Sequence, residues 1–275
     1  MSAGTTSRPA VSVDELKRAW RAVQAGGFRN GTDGRAIRSQ PPTATVDVEW
    51  IPAAGERTIA VLGSAGTVGT STVALALGLA APEPVRVVEC CSAAASSLAA
   101  ASTAELGLHP SGWRRGKRDH VLLERTSDEL VYVGEVPAPI PIETTDQLTI
   151  LDIGWHPSQV LATGCWLKDA THAADGLVVA APVTVPGFRR LEAALELLGN
   201  ERAVVALVGP RRKKWLRGVE QSAGRLMRRA LDADRWVEIP EDRGLAVMGL
   251  DSRAIPGPVV DAARQLLDHL RLFPD

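Results

Sequence analysis

The chain is short of the features that would mark it as secreted, membrane-spanning or strongly polyionic. Three cysteines in 275 residues, Cys90 beside Cys91 and Cys165 alone, allow neither a disulfide framework nor a CxxC metal pair. That usage fits a reducing, cytoplasmic setting. The first 30 residues lack an apolar segment with a cleavage site, and no apolar run approaches the length of a bilayer span. Net charge is also small: 31 Lys and Arg against 32 Asp and Glu give −1, so nothing global draws the chain to nucleic acid or membrane. One Tyr and three Phe stand beside seven Trp, a poor supply of stacking rings for single strands. His109, His120, His156, His172 and His269 are scattered without metal-ligand spacing. Cys90 and Cys91 have no local base, so no Cys-His nucleophile can be argued. These absences leave a globular protein with room for one α/β domain and an extension.

Residues 1–56 read as that extension. Ser12 to Glu15 has capping-box spacing, and Val13, Leu16, Trp20 and Val23 recur on one helical face, predicting a helix over about 12–25 that Gly26 and Gly27 stop. Trp20 on that face is a candidate contact for a protein partner; packing back on its own domain is the plainer reading. Arg29 to Pro52 is rich in Gly, Thr, Pro and Ser and reads as a linker, with a candidate edge strand at VDVEWI. From Thr58 onward strand and helix signals alternate. TIAVLG, VRVVEC, LTILDIG, DGLVVAAP, AVVALVG and VEIPED are β-branched runs of the kind buried on both faces of a parallel sheet. SAAASSLAAASTAELG is expected to be helical, and VLLER and ELVYVGEV to form a hairpin across TSD. Helices are expected at about 71–81, 158–172, 187–199, 217–231 and 257–272. The last places Val259, Ala263, Leu266, Leu267 and Leu270 on one face. Asp261 and Asp268 beside them favour core packing over a lipid surface. The pattern predicts an α/β class: a doubly wound, mostly parallel sheet between two helical layers over 57–275.

The chemistry concentrates at TIAVLGSAGTVGTST, residues 58–72. A strand, a glycine turn and a helix start seat phosphates on free backbone N–H groups. The G-x-x-G-x-x-G spacing of GSAGTVG is that of extended short-chain dehydrogenases, and Glu89 ends the next strand where an acid could hold a ribose hydroxyl. Such an enzyme needs a Tyr followed four residues later by Lys to move a proton. The single tyrosine is Tyr132, and Val136 stands four places on, so only a dinucleotide sensor without dehydrogenase activity survives as an alternative.

The second reading reaches further along the chain. Ala65, Gly66, Thr67, Val68, Gly69, Thr70, Ser71 and Thr72 resemble the deviant Walker A motif, K-G-G-x-G-K-[ST]-T, of the ParA/MinD family of partitioning and positioning ATPases. VVECCS resembles that family's strand-end D-x-D-P, and LTILDIGWHP its Walker B strand with Asp152 at the metal-facing carboxylate. ADGLVVAAPVTVPGFRRLEAALELL and the closing VEIPED and SRAIPGPVVDAARQLLDHL are similar to elements that come next there in the same order. The resemblance covers roughly 57–272 and implies a P-loop NTPase-like three-layer α/β/α fold. It implies ATP or ADP held by Gly66, Val68, Gly69, Thr70, Ser71 and Thr72, with magnesium on Ser71 and Asp152, and a homodimer. It also implies non-specific DNA contact through basic residues, for which Arg211, Arg212, Lys213 and Lys214 are the candidates, with the basic run RRGKR at 114–118 beside them.

The departures from that pattern fall on the charges. Both motif lysines are gone, replaced by Ala65 and Thr70; Thr67 stands at a glycine place, and the D-x-D acids become Glu89 and Cys91. Phosphoryl transfer is mostly positioning and charge stabilisation, so Asp152 alone is a weak candidate catalytic residue and hydrolysis is expected to be slight or absent. Bound nucleotide and an empty turn are equally open. An arginine or lysine of 211–214 could replace the lost charge, and Trp155 and His156 could either plug the phosphate pocket or pack on the strand end. The expected function is an adaptor or scaffold in positioning, DNA partition or assembly of a larger complex. The alternatives are a weak ATP-binding switch and the dinucleotide sensor.

Overall fold

A computed structural model describes residues 49–82, 84–142, 146–199 and 202–272. The expected helix at 12–25, with Trp20, and the first half of VDVEWI lie outside these residues; Glu49 to Ile51 carry no strand. The described chain forms nine strands, β1 (Arg57–Gly63), β2 (Val85–Glu89), β3 (Ala104–Leu108), β4 (Arg114–Arg118), β5 (Val121–Arg125), β6 (Leu148–Ile153), β7 (Gly176–Pro182), β8 (Val204–Gly209) and β9 (Trp236–Pro240). They make one sheet in the order β3-β4-β5-β2-β6-β1-β7-β8-β9. All pairs from β5 to β9 are parallel, and β4 and β3 add an antiparallel edge.

The central strands read as unbroken apolar runs because both faces of the sheet are covered. On one face Ile59, Val61, Val87, Ile150 and Val178 pack beneath α1 (Thr70–Ala80) and α9 (Gly257–Leu270). α1 is wedged so closely that a Cβ on Gly78 would lie 3.1 Å from both Val87 and Val121 side chains. The buried stripe Val259, Ala263, Leu266 and Leu267 of α9 rests on this layer, so the C-terminal helix is a core element. On the other face Leu62, Val88, Leu151, Val179 and Leu207 meet α3 (Pro157–Ala162), α4 (Trp166–Ala173), α5 (Val185–Leu198), α6 (Arg217–Gln221) and α7 (Arg225–Asp232). Helix α2 (Leu98–Ala101) is a single turn, and α8 (Arg243–Met248) buries none of its residues. No described helix is long and apolar enough to cross a membrane. The result is the expected doubly wound, three-layer α/β/α architecture.

Four local expectations are corrected. The helices expected at 158–172 and 217–231 each break in two, as α3 with α4 and as α6 with α7. SAAASSLAAASTAELG is not one helix: it breaks into a short 3-10 turn, α2 and the edge strand β3. An all-alanine face buries too little to hold a long helix, and the serines compete for backbone groups. VLLER forms its hairpin with the upstream RRGKR, turning at Asp119 with φ 51°. ELVYVGEV instead runs irregularly around a 3-10 turn, with its carbonyls taken by indoles: Trp166 Nε1 donates to Val136 O (2.8 Å), and Trp113 Nε1 to Ala138 O just beyond (2.9 Å). The RRGKR run is therefore no simple basic patch. Arg118 is buried and donates to the carbonyls of Ala101 and Asp251 (2.8 Å each).

Candidate functional site

β1 ends in mid-sheet between β6 and β7 and turns through Ser64–Gly69 into α1. Two turn residues take left-handed backbone, Thr67 at φ 60° and Gly69 at φ 89°. Glycine does so freely; for β-branched Thr67 the conformation is strained. The turn closes tightly on the strand, for a Cβ on Gly63 would lie 2.5 Å from Thr70 Oγ1, 2.8 Å from the Ala65 carbonyl oxygen and 2.9 Å from Val68 Cγ2. Gly66, at the tip, faces open space. Ser64 N donates to Ala180 O (2.8 Å), tying the turn to β7. Gly69 caps α1, and no side chain caps the first N–H groups of this 11-residue helix. Those donors and the positive end of the helix dipole are the elements of an anion seat.

Asp152 lies near the end of β6, level with Val61 of β1 and Glu89 of β2. It is fully buried, and neither carboxylate oxygen has a hydrogen-bond partner. Burial lifts its pKa to about 7; Ser71 opposes the rise without reaching good hydrogen-bond geometry, and the charge of Glu89 adds to it. The hydroxyl of Ser64 is likewise buried and unpaired. A buried carboxylate without a hydrogen-bond partner, behind the first turn of a helix whose leading N–H groups have no side-chain cap, suits magnesium, which takes one or two carboxylates, waters and phosphate oxygens. The metal end of a magnesium nucleotide therefore fits Ser71 and Asp152. The cationic end does not: Ala65 and Thr70, both half-buried, offer no charge.

Glu89 serves the wall of the site. Its buried carboxylate accepts from Thr126 N (3.1 Å) and Thr126 Oγ1 (3.3 Å) at the end of β5, and burial still holds its pKa above the usual carboxylate range. β6 also separates β2 from β1, whereas the dinucleotide fold sets those strands side by side so that the acid reaches the ribose. Cys90 and Cys91 are buried with both thiols pushed up by desolvation, which makes them poor nucleophiles. Trp155 packs against the face of α3–α5, and His156 caps α3, Nδ1 accepting from Ser158 N (3.2 Å) while Gln159 accepts from His156 N (3.0 Å). Both pack at the strand end.

Arg211, Arg212, Lys213 and Lys214 are exposed after β8. Arg212 is engaged locally: its guanidinium lies 5.7 Å from the Trp236 ring and 6.0 Å from the Trp215 ring, and it pairs with Glu220 at 3.4 Å.

No family model and no curated protein matches this sequence. Solved structures do match. A ParA family ATPase from Chlorobium tepidum TLS aligns with 78% of this chain and 99% of its own length, at 15% identity and a TM-score of 0.50. The chain has the ParA/MinD P-loop ATPase fold. A plasmid partition protein of Borrelia burgdorferi B31, solved with AMPPNP, covers 78% of this chain and 98% of itself (12% identity, TM-score 0.49). MinD of Aquifex aeolicus covers 77% and 97% (15% identity, TM-score 0.45).

Within this ParA/MinD-like frame the structure brings Gly66, Val68, Gly69, Thr70, Ser71, Thr72 and Asp152 to one place at the end of the central strands; the 211–214 segment comes after β8, two strands away from β1. Sequence reasoning missed Ser64 and Thr126. Ser64 was visible as the first residue after the strand, but only the fold shows its hydroxyl sealed in without a partner. Thr126 has no signal in the sequence, since its role depends on β5 lying beside β2.

Proposed function

We propose that the chain is a ParA/MinD-like protein that has given up efficient phosphoryl transfer and works as an adaptor in positioning, partition or assembly of a larger complex. The observation behind this reading is the pairing of an intact turn with uncharged side chains at both lysine places, Ala65 and Thr70. A phosphoryl group leaving this turn would meet backbone N–H groups and no lysine from position 65 or 70, and losing one strong oxyanion donor alone costs roughly 3–4 kcal/mol of transition-state stabilisation. Bound magnesium would neutralise phosphate charge; Ser71 and Asp152 are the residues to hold it. Residues 57–275 would form the working domain, and the extension over 1–56 a handle for a protein partner.

The test is steady-state phosphate release together with calorimetric titration of ATP and magnesium. The native chain should release phosphate at background rate. The Ala65→Lys, Thr70→Lys variant should bind ATP at least tenfold more tightly. Brisk magnesium-dependent turnover that disappears in Asp152→Ala would replace this reading with the ATPase switch. A second role is favoured by the exposure of Arg211, Lys213 and Lys214: salt-sensitive contact with duplex DNA. A gel shift unchanged by alanine at 211–214 removes it.

A further inference from the structure

Near the starts of β8 and β9, whereas the glycine turn follows the end of β1, the end of α5 and the length of α7 part around a cavity of about 240 Å³. Leu195, Leu226 and Ala230 form its floor, and Arg225, Arg229 and Arg235 stand on its rim, with Glu196 as the one acid among the described lining residues. The floor is part of the core face, Leu195 and Ala230 being buried. α7 is held rigidly over it: Glu192 of α5 accepts from Leu226 N (2.8 Å) and Met227 N (2.9 Å), and Gly224 lies so close to Glu192 that a Cβ there would meet its carboxylate carbon at 2.2 Å. Arg225 is exposed and makes no hydrogen bond or ion pair among the described residues. Among the described residues the Arg235 guanidinium makes one hydrogen bond, a long one to Ala203 O (3.4 Å). The surrounding stretch from Arg211 to Arg235 carries nine Lys and Arg against three Asp and Glu, in a chain of net charge −1.

We propose that this cavity is a docking socket for an acidic segment of a partner protein bearing one large apolar side chain. The size favours a peptide anchor over a cofactor, because small-molecule sites usually run to roughly 300–1,000 Å³. The apolar floor would take the anchoring side chain, while the forked guanidiniums of Arg225 and Arg235 match flanking carboxylates in two-point geometry. Nucleic acid fits less well, since phosphates gain nothing from an aliphatic floor. The socket lies far from Gly66 in the fold, so the proposal stands whether or not the turn holds nucleotide.

The experiment is selection of a displayed random 12-residue peptide library on the full-length chain, followed by fluorescence anisotropy with an enriched peptide. Selected peptides should carry one Phe, Trp, Leu, Ile or Met among Asp and Glu residues. Arg225→Glu should weaken binding at least tenfold with an unchanged melting temperature, and Arg225→Lys should recover part of the loss. Replacing the peptide's apolar residue by Ser should cost a similar factor. Absence of acidic-apolar enrichment overturns the proposal. So does binding indifferent to Arg225→Glu, or indifferent to the loss of the apolar residue. Displacement of the peptide by an equimolar 30-base-pair duplex would assign the face to nucleic acid instead.

Discussion

Asp152→Asn should stabilise the protein in alkaline solution and leave it nearly unchanged in acid. The native carboxyl has its pKa raised from 3.8 to about 7 by burial, with no hydrogen bond to either oxygen. Between about pH 4 and 7 the folded state therefore keeps a proton that the unfolded state has released. Stability falls as pH rises through that window and levels off above 7. A rise of roughly three units, at about 1.4 kcal/mol each, sets a ceiling near 4 kcal/mol at pH 8. Asn removes the charge but leaves a buried amide without partners, which returns about 1–3 kcal/mol. The expected net gain is about 1–3 kcal/mol at pH 8 and none at pH 5. Urea unfolding at pH 5, 6, 7 and 8, fixed ionic strength and followed by tryptophan fluorescence, measures it. Glu89 and Glu124, also raised by burial, give both proteins a slope of the same sign, so the quantity to read is the difference between the two curves. Parallel curves from pH 5 to 8 would refute the argument, because Asp152 would then be neither buried alone nor titrating in that range.

Thr67→Gly should stabilise by about 0.5–1 kcal/mol, the relief of left-handed backbone at φ 60° exceeding the entropy glycine adds to the unfolded chain; chemical denaturation reads it directly. Gly78→Ala should cost about 1 kcal/mol despite a helix-propensity gain of similar size, because its Cβ meets Val87 and Val121 at 3.1 Å and overpacking costs about 1–3 kcal/mol. Arg86→Leu should cost about 3–5 kcal/mol at neutral pH and less in acid, since the buried Arg86 bridges Glu56 and Glu124 at 2.9 Å each and its loss strands two carboxylates until they take up protons.

The central strands were legible because burial on both faces writes itself as continuous Val, Ile, Leu and Ala. The glycine turn and Asp152 were legible for a related reason: a strand end at a fixed place in a parallel sheet leaves little freedom to the residues just beyond it. Where the reading failed, charge disguised structure. RRGKR is a strand because Arg118 finds carbonyl oxygens inside, Arg125 of its neighbour pairs with Glu105 at 2.5 Å, and Arg115 reaches toward Glu124 at 3.6 Å. Nothing in the local sequence announces those partners, which come from three separate segments. β3 failed for the opposite reason: AELGL is exposed along its whole length and is held by pairing with β4 and by the Arg125–Glu105 ion pair, so it has no face to show as a period. Thr67 could be flagged as standing where glycine is expected, but its positive φ comes from the closed shape of the turn.

That closed shape explains how the turn keeps its form with uncharged residues at positions 65 and 70. The conformation rests on buried neighbours: Val68 in the core, Thr70 and Ala65 pressed against Gly63, Ser64 tied to Ala180 at 2.8 Å, and Val73 N bonded to Gly69 O at 2.9 Å. None of these contacts needs a charged tip at position 65 or 70. If the core sets the turn, the Ala65→Lys, Thr70→Lys variant should melt close to the native chain without ligand, because long lysine stems can extend outward from two half-buried positions. It should then gain several degrees more than the native chain on addition of ATP and magnesium, the mass-action signature of a ligand that binds only the folded state. A large loss of unliganded stability would show instead that Thr70 itself holds the turn closed against Gly63. The absence of lysine would then be a requirement of the fold, and the anion seat a consequence of packing alone.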